Sequence, residues 1–132
     1  GDEGRCVTSM ASDSGNLFEF EQDEDVLIVI PRDNAGSLID RQVYQEWEQL
    51  LSQFDEPPTK VVLDIERMAY FGSIVLEWMI QAWRELHAKG GTIAICNASE
   101  VGREILQIAK FDSLWPICET REEALKAVRE KS

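Results

Sequence analysis

The sequence predicts an α/β domain built on a largely parallel sheet, and three observations lead there. Uninterrupted apolar runs, Val26-Leu27-Ile28-Val29-Ile30, Val61-Val62-Leu63 and Ile93-Ala94-Ile95-Cys96, read as strands covered on both faces. Segments with apolar residues at helical spacing lie between them. The resulting order, strand, strand, helix, strand, helix, strand, helix, strand, helix, is that of a mostly parallel sheet of four to five strands with about four helices. At 132 residues the chain suits one domain with its own core and is short for two.

Taken in order, residues 1–16 carry Gly, Ser, Asp and Thr with little apolar content, and are expected to form a disordered tail before a domain spanning 17–132. Leu17-Phe18-Glu19-Phe20-Glu21 alternates apolar and polar, as a half-exposed strand does. The short turn Gln22-Asp23-Glu24-Asp25 joins it to Val26–Ile30, which implies an antiparallel hairpin with the first strand at the sheet edge. Pro31 stops the second strand. A helix follows with apolar positions Ile39, Val43, Trp47, Leu50 and Phe54, closed by Pro57-Pro58.

The stretch from Val61 to Leu86 is the centre of the chain. A buried strand, Val61 to Ile65, passes through Met68-Ala69-Tyr70-Phe71-Gly72-Ser73 into a helix with Val75, Met79, Ala82 and Leu86 on one face. Ser73 stands at the joint, where several backbone N–H groups lack partners. Two readings apply: a serine whose hydroxyl caps the helix by accepting from the amide of residue 75 or 76, or a phosphorylatable serine whose added charge suits the helix dipole.

Lys89-Gly90-Gly91 then ends the helix, and Thr92–Asn97 is another buried strand. Ser99 begins a helix with Val101, Ile105 and Ile108 aligned. Trp115-Pro116-Ile117-Cys118 reads as a short strand. Thr120-Arg121-Glu122-Glu123 has the form of a capping box before Ala124, Leu125 and Val128.

Composition narrows the function. Asp and Glu number 25 against 13 Lys and Arg, a net charge of −12 spread from Asp2 to Glu130, which repels nucleic acid and anionic lipid. No apolar run approaches the roughly 20 residues that cross a bilayer, and residues 1–16, which lack a basic start followed by an apolar stretch, are not expected to be a signal peptide. Three widely spaced cysteines, Cys6, Cys96 and Cys118, suit a reducing compartment, so a cytoplasmic protein is expected.

The usual chemistry is missing. His87 is the single histidine and no C-x-x-C spacing occurs, so no metal site is expected. Neither G-x-x-x-x-G-K-[ST] nor G-x-G-x-x-G is present, so no nucleotide cofactor is expected either. Asp64 and Glu66 could share one face as paired acids, but carboxylates at a strand end more often accept from loop amides. Trp47, Trp78, Trp83 and Trp115 read as core packing before they read as a ligand box. The expectation is a protein that is not an enzyme.

These residues resemble a known family. Val61-Val62-Leu63-Asp64-Ile65, Tyr70-Phe71-Gly72-Ser73-Ile74-Val75-Leu76, Gly90-Gly91, Val101–Leu106, Phe111–Ile117 and Glu122-Glu123-Ala124-Leu125 are similar, in order, to the STAS domains and among them to the bacterial anti-sigma-factor antagonists. The resemblance spans roughly residues 18–128 and implies a single STAS-like fold with an antiparallel edge strand. It also implies a regulator of transcription that binds an anti-sigma factor acting as a serine kinase. In such proteins the serine at the helix start is phosphorylated, a role the resemblance carries onto Ser73, with Phe71, Gly72, Ser73, Ile74, Val75 and Glu77 as the partner-binding surface. The family pattern D-S-[ST]-G-L reads Gly72-Ser73-Ile74-Val75-Leu76 here, without the aspartate. That departure favours an alternative, a STAS scaffold without phosphorylation in a signalling assembly or a lipid-transport complex.

Overall fold

The computed structural model describes residues 18–32, 40–56, 58–68 and 70–131. The expected tail, Leu17, Ile39 and Cys6 lie outside the described residues, as does the side chain of Val43. Strand β1 (Phe18–Asp23) pairs antiparallel with β2 (Val26–Pro31), from Phe18 opposite Pro31 to Asp23 opposite Val26. Glu24 turns the hairpin at φ 58°. Helix α1 (Asp40–Leu51) leads to β3 (Lys60–Asp64), and helix α2 (Ser73–Ala88) to β4 (Thr92–Cys96). Helix α3 (Glu100–Ile108), a 3-10 turn at Phe111–Ser113, β5 (Ile117–Cys118) and helix α4 (Arg121–Lys131) complete the chain.

The five strands lie side by side in sequence order, with every pair after the hairpin parallel. A single α/β domain with one antiparallel pair and four helices among the described residues is the architecture the sequence predicts.

Because side chains alternate along a strand, each buried strand feeds two cores. Leu27, Val29, Val61, Leu63, Ile93 and Ile95 point to one face, where they meet Trp47 and Leu50 of α1, Val75, Trp78, Met79, Ala82 and Leu86 of α2, and Leu106 of α3. Val26, Ile28, Ile30, Val62, Ala94 and Cys96 point to the other and meet Ala124 and Val128 of α4. This two-sided burial is why the strands appear in the sequence as apolar runs without alternation. Trp47, Trp78 and Phe18 pack ring against ring, with Trp78 centred 5.3 Å from Trp47 and 5.1 Å from Phe18. Core packing therefore accounts for Trp47, Trp78 and Trp115, and Trp83 is half-buried beside Trp115.

The turn from α2 to β4 depends on its two glycines. Gly90 takes φ 78°, a conformation glycine adopts without steric cost, and its amide donates to the His87 carbonyl. Gly91 has no room for a side chain, since a Cβ there would lie 2.3 Å from the Thr59 carbonyl oxygen.

Helix α3 departs from expectation. Val101, Ile105 and Ile108 are aligned as the sequence indicates, but of the three only Ile105 packs against the core. Val101 is 50% and Ile108 81% exposed, while Gly102 and Leu106 are the residues buried. The reason lies at Gly102: the Phe71 ring stands 3.2 Å from where a Cβ would sit, so α3 turns its glycine edge to the core.

Candidate functional site

The connection from β3 to α2 is held at several points along its length. The Met68 amide donates to the Ile65 carbonyl at 3.1 Å, and Arg67 forms an ion pair with Glu19 of the edge strand at 2.6 Å. Met68 and Phe71 are buried, each 1% exposed, and Phe71 rests against α3 at Gly102. Between and beyond these anchors the surface is open. Tyr70 is 68% exposed and Ser73 is exposed at the first residue of α2.

The cap of α2 is Gly72, in extended conformation, and no side chain caps the helix. The expected serine cap is corrected accordingly: Ser73 lies one residue inside the helix, past the position from which a hydroxyl reaches back to the amides of residue 75 or 76. The first intrahelical bond runs from the Leu76 amide to the Gly72 carbonyl at 3.2 Å. No acidic residue lies in the first turn. The hydroxyl thus projects from the positive end of a helix dipole that no carboxylate of that turn offsets.

The expected contact residues divide by burial. Ser73 and Glu77 are exposed and Gly72 and Ile74 half-exposed, but Phe71 and Val75 are buried at 1% and 2%. The reading of Phe71 and Val75 as contact surface is corrected: both belong to the core and hold the loop from beneath. Val75 and Met79 share the inner face of α2, whereas Ser73 and Glu77, four apart, share the outer face.

Asp64 and Glu66 do not form a pair of facing acids. Asp64, 2% exposed, ends β3 on the face covered by α4. One carboxylate oxygen accepts from the Glu66 amide at 3.2 Å and from Asn97 Nδ2 at 3.1 Å; the other accepts from Arg121 Nε at 3.2 Å and Nη2 at 2.9 Å. Arg121 also donates to Glu21 at 2.9 Å. Burial acts to lower the pKa of Arg121, but its bonds to Asp64 and the charge of Glu21 outweigh burial and hold it above the ordinary guanidinium value. Glu66 is exposed. The sequence could not reveal this network, whose partners lie 33 and 57 residues away.

Among the described residues no group of three His, Cys, Asp or Glu side chains could hold a metal, and no helix is long and apolar enough to cross a membrane. A cleft of about 250 Å³ opens at the amino ends of β4 and β5, lined by residues that include Trp83, His87, Thr92, Leu114 and Trp115. It lies at the opposite end of the sheet from Ser73.

Comparison with known proteins bears on this geometry. A family model for the STAS domain matches residues 19–124. BtrV of Bordetella bronchiseptica, named as an anti-sigma factor antagonist, is 30% identical over 81 residues, covering 61% of this chain and 70% of that protein. An anti-sigma-factor antagonist (STAS) domain protein from Planctomyces limnophilus has a solved structure similar at a TM-score of 0.70 and 24% identity, covering 85% of this chain and 97% of that one. The anti-sigma factor antagonist SpoIIAA in its unphosphorylated form is similar at a TM-score of 0.62 and 21% identity, covering 86% of this chain and 96% of its own. These structural likenesses concern the fold.

Proposed function

The chain belongs to the STAS domain family, and from that premise we propose that it is an anti-sigma factor antagonist, a protein-binding regulator of transcription switched at Ser73. The observation that carries this reading is the placement of Ser73. An exposed hydroxyl stands at the amino end of α2 without capping, on a loop pinned beneath by Met68 and Phe71. Unphosphorylated, the chain binds an anti-sigma factor that is also a serine kinase, through Gly72, Ser73, Ile74 and Glu77, and thereby frees the sigma factor.

Phosphorylation reverses the contact by charge. A kinase acting on Ser73 holds nucleotide phosphates beside that hydroxyl, and transfer adds about −1.5 to −2 charges to the serine. Like charges then meet at the centre of a desolvated contact, where neither has water to screen it. Within the free chain the same phosphate is well placed, because α2 offers it unpaired amides and a favourable dipole.

A second reading is favoured by Gly72, which stands where the resembling proteins have an acidic neighbour of the serine. In it the chain is a STAS scaffold that receives no phosphate. Affinity for the kinase-type anti-sigma factor of the same genome separates the two. The switch predicts that Ser73→Ala binds within about twofold of the wild type and Ser73→Asp at least about tenfold more weakly; equal affinities of the two variants count against it.

A further inference from the structure

Cys96 and Cys118 are partners across the last two strands of the sheet. They stand opposite one another in the parallel register of β4 and β5, and neighbouring strands run about 4.8 Å apart. That spacing falls within the roughly 4.4–6.8 Å between Cα atoms that a disulfide spans. Both thiols belong to the face of the sheet covered by α4, Cys96 inside that core and Cys118 packed against it, and both are free. They continue a row that begins at Asp64, whose own register partner on β4 is Cys96. Asn97 Nδ2 lies 3.8 Å from Cys96 Sγ and donates to Asp64 at 3.1 Å.

Access sets the order of reaction. Cys96 is 0% exposed and Cys118 is half-buried, so an oxidant meets Cys118 first. A bridge also needs the two Cβ atoms to close to about 3.8 Å. Strand β5 has two residues and forms the edge of the sheet, so it can be drawn inward at small cost to the pairing. A bridge closed in this way is held under strain, and strained bridges are the readily reduced, regulatory ones. Burial, and after it the charge of Asp64 on Cys96 and of Glu123 on Cys118, keeps both thiols protonated at neutral pH. The pair therefore stays reduced at low oxidant and reacts under a sustained load.

We propose that Cys96 and Cys118 form a reversible oxidation site, a dithiol that hydrogen peroxide closes to a disulfide joining β4 to β5. Cys118 Sγ attacks the peroxide, the O–O bond breaks, and Cys118 becomes a sulfenic acid as one water leaves. Cys96 Sγ then displaces the sulfenic hydroxyl, which takes the Cys96 proton and departs as the second water. Two thiols thus supply the two electrons that reduce one peroxide. The bridge fixes the strand that leads into α4, whose first residue, Arg121, holds Asp64 at 2.9 Å. Nothing in this site depends on the function read at Ser73.

The test is exposure of the folded full chain to millimolar hydrogen peroxide, then alkylation of the remaining thiols in denaturant, intact mass and a non-reducing peptide map. The expected product has lost two hydrogens and links the Cys96 peptide to the Cys118 peptide within one chain, while the Cys6 peptide carries the alkyl label. Dithiothreitol should restore both thiols, and Cys118→Ser should form no bridge. A sulfinic acid on Cys118 with Cys96 still alkylated would overturn the proposal. So would a bridge to Cys6, a bridge between two chains, or a Cys96–Cys118 bridge that forms in urea but not in the folded chain.

Discussion

Asp64 is the one charged residue in the described core, and four donors from three other places in the chain make it tolerable there. Removing Arg121 leaves a carboxylate facing α4 with only neutral donors. Loss of one partner of a fully buried ion pair costs about 3–5 kcal/mol. The Arg121 side chain is 34% exposed, so solvent already screens part of the pair. Arg121→Met is therefore expected to destabilise the fold by about 2 kcal/mol in urea unfolding, and Asp64→Asn/Arg121→Met by less than the single change.

Cys96 gives a second prediction at the same scale. Burial, and after it the charge of Asp64, pushes its thiol from an ordinary 9.0 to about 12. The folded state thus holds this proton more tightly than the unfolded chain. Stability from Cys96 is complete below pH 9.0 and is lost as pH rises toward about 12. Cys96→Ala should lose less stability than the wild type between those limits. A parallel fall of the two pH profiles in urea titrations would contradict it. The same elevation predicts slow alkylation of the native protein at neutral pH.

At the scale of elements, helix α3 separates what the sequence discloses from what it conceals. Its existence and start were legible: Ser99 accepts from the Gly102 amide at 3.0 Å, as a cap should. Its orientation was not. Two stripes run along this helix, Val101-Ile105-Ile108 and Gly102-Leu106-Ala109, and hydrophobicity alone favours the first. The glycine was the clue to the second, since a helix interior tolerates glycine best where a neighbour packs against the backbone. The orientation can be tested directly. Leu106→Ala should cost about 2–5 kcal/mol, as core truncations do. Ile108→Gln should stay within about 0.5 kcal/mol of the wild type. Reversed sensitivities in thermal unfolding would place Ile108 in the core.

The other elements show the same division. Thr120 accepts from the Glu123 amide at 3.1 Å, so the capping motif of α4 was legible. The cap of α2 was not, because Gly72 and Ser73 are both acceptable at that position and only backbone geometry chooses between them. The strands were legible because burial on both faces leaves the strongest signal a sheet can leave.

For the whole molecule, the order of strands and helices sufficed to give the sheet. What stayed hidden was depth. Phe71 and Val75 flank the serine in sequence but lie 1% and 2% exposed, since the chain passes there from loop to helix and the inward face changes period. The molecule that results has α1, α2 and α3 over one face of the sheet, α4 over the other, and the exposed Ser73 in the first turn of the central helix. The regulatory reading depends on a single hydroxyl, that of the exposed Ser73, being both accessible and decisive.

The most direct measurement is intact-mass analysis of the chain after incubation with the kinase-type anti-sigma factor of its genome and ATP, followed by fragmentation to locate the modification. The account predicts one phosphate, carried by Ser73, and none on Ser73→Ala. An unmodified chain, or a phosphate carried equally by Ser73→Ala, would contradict it.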